Sequence, residues 1–109
     1  GTSVPLLNSG IKTTVANSLM VWFGTADYQG GGASSATGPT TPGTWSQDGN
    51  TTNNTWTNLA VASSIKASPG ASGSCDGTAT VPVASTAQAY QTVLFEFISS
   101  VGNIAWIKA

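Results

Sequence analysis

Five consecutive apolar residues, Leu19-Met20-Val21-Trp22-Phe23, set the strongest limit on how this chain can fold. Successive side chains of a strand point to opposite faces. As a strand, the run puts Leu19, Val21 and Phe23 on one side and Met20 and Trp22 on the other. A strand that is apolar on both sides is central in its sheet, or has a covered outer face. A helix is the weaker reading, because strong helix formers are scarce. The 109 residues include one Glu, three Lys and no Arg.

The rest of the chain repeats the two-residue period. Strands are expected at 3–7, 11–16, 19–23, 44–47, 56–65, 78–83, 87–98 and 104–107. Leu59, Val61 and Ile65 fall on one face of the fifth. Val93, Phe95 and Phe97 alternate with Leu94, Glu96 and Ile98 in the seventh. Pro82 cannot donate to a ladder, so 78–83 reads as an edge strand or a bulge. Asn8-Ser9-Gly10 and Asp48-Gly49-Asn50 read as turns. Two stretches rich in Gly, Ser and Pro, 24–43 and 67–77, read as long loops. A loop as long as the first is uncommon unless a functional contact or a neighbouring subunit holds it. Seven or eight short strands in one domain over 1–109 predict an all-β, antiparallel sandwich.

Charge narrows the partners. Only Lys12, Lys66, Lys108, Asp27, Asp48, Asp76 and Glu96 are charged, 6% of the chain against about 25% in ordinary soluble domains. The net charge is −1. Nucleic acid and anionic membranes both need clustered Lys and Arg, so neither is an expected partner. No run of about 18 apolar residues is available for a transmembrane helix. No basic segment precedes an apolar stretch of the leader type. A nearly uncharged surface offers little repulsion between copies and favours association. Other subunits, further copies of the chain in a homo-oligomer, or a neutral glycan fit that surface.

Catalytic chemistry finds few residues to use. There is no His, which removes Ser-His-Asp and Cys-His schemes. Four scattered acids do not make the paired carboxylates of a glycosidase. Glu96 reads as an outward-facing residue of an alternating strand. Ser63-Ser64-Ile65-Lys66 matches Ser-x-x-Lys, but that motif needs a helix, and strand spacing sends its two ends to opposite faces. Asp27, Asp48 and Asp76 are too few and too dispersed for calcium, and no zinc set exists. We therefore expect no enzyme, no metal and no cofactor. Cys75 has no cysteine partner within the chain, and its Ser-Gly-Ser-Cys-Asp-Gly setting predicts partial exposure.

The aromatic residues carry the binding signal. Exposed rings stack on sugar faces when amides and acids stand beside them. Tyr28, Trp45 and Trp56 flank loops, with Gln47, Asn50 and Asn53 near in sequence, and these six are the candidate ligand-binding residues. The competing reading makes Trp22 and Trp106 core residues, with Trp45 and Trp56 capping the sandwich.

One order of segments carries a resemblance. An apolar strand, a Gly-rich loop and Pro42-Gly43-Thr44-Trp45 come first. An Asn/Thr-rich tip, a strand ending Ile65-Lys66-Ala67, and Gly77-Thr78-Ala79-Thr80-Val81 follow, and Val93-Leu94-Phe95-Glu96-Phe97 comes last. Over roughly 15–98 this resembles the jelly-roll module of phage virion proteins and secreted bacterial proteins, although Thr44 here separates Gly43 from Trp45. The resemblance implies a jelly-roll sandwich at a virion surface or outside the cell. It brings no catalytic residues. The expected function is that of a virion structural protein (decoration, cement, spike or fibre), with a carbohydrate-binding module of a secreted protein as the alternative.

Overall fold

The computed structural model describes residues 2–29, 34–51, 57–81 and 86–98. Every strand pairing is antiparallel, and no helix occurs among the described residues. Nine strands follow in order: β1 (Thr2–Leu6), β2 (Lys12–Thr13), β3 (Ser18–Gln29), β4 (Ser35–Thr37), β5 (Ser46–Thr51), β6 (Thr57–Lys66), β7 (Gly70–Ala71), β8 (Gly77–Val81) and β9 (Thr86–Phe97). They form a four-stranded sheet β5-β6-β3-β9, a three-stranded sheet β1-β8-β4 and a small β2-β7 ribbon.

The two larger sheets pack into a β-sandwich around Trp22. Its indole is fully buried and its Nε1 donates to the Cys75 carbonyl at 3.0 Å. Around it lie Leu6 from β1, Ala26 from β3, Ala36 from β4, Ala60 and Ala62 from β6, Ala79 from β8, and Cys75. One large ring is thus surrounded mainly by alanines. Two glycines make room for it. A Cβ on Gly24 would stand 2.1 Å from the indole, and one on Gly77 would stand 2.6 Å from it. Buried polar groups inside the sandwich are satisfied. The Asn58 amide accepts from Ala26 N and donates to Ser34 Oγ, and Ser64 Oγ donates to the Thr44 carbonyl at 2.6 Å.

The bifacial run Leu19–Phe23 does form a central strand, since β3 is flanked by β6 and β9. Other expectations are corrected. The stretch 24–43 is not one loop: β3 continues to Gln29, and β4 occupies 35–37. Its strand signal is muted because the inward positions Gly24, Ala26 and Ala36 are small, the space being filled by Trp22. Asp48-Gly49-Asn50 is not a turn but part of β5. The register steps from Gln47↔Ala62 to Gly49↔Val61, leaving Asp48 as the extra residue of a bulge. An edge strand tolerates that irregularity. β8 (Gly77–Val81) is not an edge strand but the middle of its sheet, and Pro82, on which the bulge alternative rested, lies outside the described residues. The ribbon at Lys12–Thr13 and Gly70–Ala71 replaces the longer strand expected at 11–16. Asn17 takes φ 57°, a left-handed conformation Asn tolerates, and its N–H reaches the Ala67 carbonyl as β3 begins. The strand expected at 104–107, with Trp106, lies outside the described residues.

Candidate functional site: an apolar sheet face turned to solvent

The two sheets treat their outer faces differently. On β1-β8-β4 the outward side chains include Ser3, Pro5, Ser35, Thr37, Thr78 and Thr80, all exposed, so this face shows the usual apolar-in, polar-out alternation. The four-stranded sheet does not. Its register places twelve outward positions on β6, β3 and β9 in four rows. From one end these are Ile65, Leu19 and Phe97; then Ser63, Val21 and Phe95; then Val61, Phe23 and Val93; then Leu59, Thr25 and Gln91. Nine of the twelve are apolar and none is charged.

Apart from the buried Ser63, these residues reach the surface. Phe23, Leu59, Ile65, Val93, Phe95 and Phe97 are each between 37% and 48% exposed. All three phenylalanines of the chain belong to this group. They form a chain of ring contacts. Phe23 and Phe95 meet edge to face with centroids 6.2 Å apart, and Phe95 and Phe97 meet at 6.2 Å with a 57° tilt. Three strands spaced about 4.8 Å and seven residues rising about 3.3 Å each give a flat footprint on the order of 300 Å². That is the scale of the largest apolar patch on an ordinary monomer, about 300–600 Å², which is often functional.

The arrangement follows from which side chains fit inside. On β6 the inward series is Asn58, Ala60, Ala62 and Ser64, and the outward series holds Leu59, Val61 and Ile65. The thin space beside Trp22 accepts only the small series, so the large apolar residues must point out. Sequence periodicity placed Leu59, Val61 and Ile65 on one face without saying which way that face points. The usable signal was the contrast in side-chain size between them.

Of the six sequence-derived binding residues, the structure describes the side chains of Trp45, Gln47 and Asn50. Trp45 is half-buried against the core cluster, and its Nε1 donates to the Pro42 carbonyl at 2.7 Å. Gln47 accepts from Gly38 N at 2.8 Å and donates to the Pro39 carbonyl at 2.9 Å, so its amide anchors the 38–44 segment. Asn50 is exposed on β5 opposite Ala60. Tyr28 belongs to β3 by its backbone, and its side chain is outside the described set, as are Asn53 and Trp56. Trp45 and Gln47 therefore meet the same segment with their polar groups engaged, and neither lies beside the apolar face.

Thr25, Asp27, Tyr90 and Gln91 line a shallow cleft of about 170 Å³ at the end of the face. Ligand pockets usually run about 300–1,000 Å³, so the cleft admits a small polar group rather than a sugar ring. Ser63 and Lys66 lie on opposite faces of β6, as strand spacing requires. Among the described residues no three of His, Cys, Asp or Glu come together.

Two titratable groups depart from the sequence expectation. Glu96 does not face outward. It is on the inner side of β9, opposite Met20, and its carboxylate accepts from Ser18 Oγ at 2.6 Å, Thr14 N at 2.9 Å and Thr14 Oγ1 at 3.0 Å. The Ser18 hydroxyl, and then the Thr14 N–H, hold its pKa below the ordinary 4.5. Glu96 is thus a clamp on the turn before β3. Cys75 is fully buried rather than partly exposed, because it belongs to the core around Trp22. Burial pushes its thiol pKa up, with a smaller upward contribution from Asp76 and a downward one from the Ser72 hydroxyl.

The fold and this face define an all-β antiparallel protein with one polar and one apolar outer surface. No protein-family model matches the chain, and no curated protein or solved structure matches it significantly.

Proposed function

We propose that the chain is a non-catalytic structural module of a virion or other extracellular particle, a jelly-roll sandwich acting through protein–protein assembly. The observation that supports this most is the apolar face that β6, β3 and β9 turn outward. A protein that leaves all its phenylalanines on one flat outer face has a surface suited to being covered by protein. The scarcity of charge elsewhere suits close packing among neighbours. A decoration, cement, spike or fibre role fits both features.

Co-sedimentation tests this reading. The protein should travel with purified particles from the source that encodes it, and Phe95→Asp should abolish that association while leaving the circular dichroism spectrum unchanged. Equal co-sedimentation of wild type and Phe95→Asp would remove the face from the account.

The alternative is a carbohydrate-binding module. Its support is the exposed Tyr90 ring near Asp27 and Gln91, with exposed Asn50 elsewhere on the surface. Calorimetry against neutral glycans with Trp45→Ala and Asp27→Asn separates the two. Heat of binding that disappears in these variants and persists in Phe95→Asp would favour the glycan.

A further inference from the structure

We infer that the apolar face of β6, β3 and β9 is a self-association surface, occupied by the same face of a second copy of this chain. The inference rests on the proposed assembly role and names its partner.

Area is the first argument. Side chains standing off the sheet expose more than their flat footprint, so two such faces pressed together, with their margins, hide on the order of 1,000 Å², the lower bound of a specific interface. A peptide strand or a sugar would cover only part of it and leave the remaining rings wet. Sheet-on-sheet stacking at about 10 Å is, by contrast, an ordinary way to cover such a face.

Charge is the second. A surface meeting its own copy brings like residues near each other, so a single central Lys or Asp would oppose pairing. None of the twelve positions is charged. Glu96 and Lys66 lie on the other side of the sheet, Asp27 stands at the margin in the row after Thr25, and Asp48 is the bulged residue of the neighbouring edge strand β5. The three polar positions, Ser63, Thr25 and Gln91, are uncharged, and a glycan would find no carboxylate among them.

Relief is the third. The β9 row is bulky at Phe97, Phe95 and Val93, and the β6 row dips at the small Ser63 between Val61 and Ile65. A surface carrying both a ridge and a hollow can be complementary to itself.

The test is sedimentation velocity of the full chain over a concentration series, with wild type, Phe95→Asp and Val93→Lys, each checked by circular dichroism and Trp fluorescence. Wild type should pass from monomer to dimer with rising concentration. Either substitution, at a surface site that leaves the fold intact, should raise the dissociation constant roughly 30-fold or more, as loss of an interface hot spot does. A wild type that stays monomeric up to its solubility limit overturns self-association. Dimers that persist unchanged in both variants also overturn it, because another surface then makes them. If wild type is monomeric but co-sediments with particles through Phe95, the assembly reading stands with a different partner. Loss of both behaviours removes both readings.

Discussion

At the residue scale the molecule turns on Trp22 and what makes room for it. Gly77→Ala pushes a methyl into the indole and toward the Thr37 carbonyl, so we expect a loss of about 1–3 kcal/mol, read from the urea midpoint. Trp22→Ala empties the centre of the core and should cost about 3–5 kcal/mol. Cys75 is the chemical reporter of the same core. Its buried, neutral thiol should resist a disulfide reagent in the folded protein and react once urea unfolds it. A Cys75 that reacts as fast natively as when unfolded would refute its placement. Glu96 supplies a pH signature. Its folded pKa is lowered, so the stability it lends is whole above 4.5 and is lost as pH falls through the lowered value. Glu96→Gln should therefore melt lower than wild type at neutral pH, with the gap closing on acidification below that value. A gap independent of pH would contradict the clamp to Ser18 and Thr14.

At the element scale, sequence patterning located the long strands and missed the short or irregular ones. β3, β6 and β9 announce themselves by large residues at alternate positions. β4 has only Ala36 to place inward, and β5 carries Asp48-Gly49-Asn50, whose turn chemistry is absorbed by a bulge. Pro82 argued for an edge strand, yet β8 is paired on both sides, by β1 and β4. The face was legible only in part. The run Leu19–Phe23 demands cover on both sides, but which side meets the second sheet depends on the space beside Trp22, and that is a tertiary property. Of the sugar-binding set, Trp45 and Gln47 spend their polar groups on the neighbouring 38–44 segment, a tertiary contact that sequence spacing does not reveal. Hydrogen exchange should follow the sheet order. The amides of β3, bonded on both sides, should be the slowest, and those of edge strand β5 should exchange at least about ten-fold faster. Equal protection across the sheet would indicate that β5 is not an open edge.

At the scale of the whole molecule, large apolar side chains outside and small ones inside make a sandwich with one wet and one dry-seeking surface. Phe95 stands outside and Cys75 inside, and one labelling measurement compares the two positions directly. Phe95→Cys carries two thiols, one on the face and one in the core. In dilute solution a maleimide should modify the introduced thiol promptly and leave Cys75 untouched, and modification should slow as concentration rises and the face is covered. An introduced thiol as unreactive as Cys75 at every dilution would mean that the face is internal, and would contradict the account.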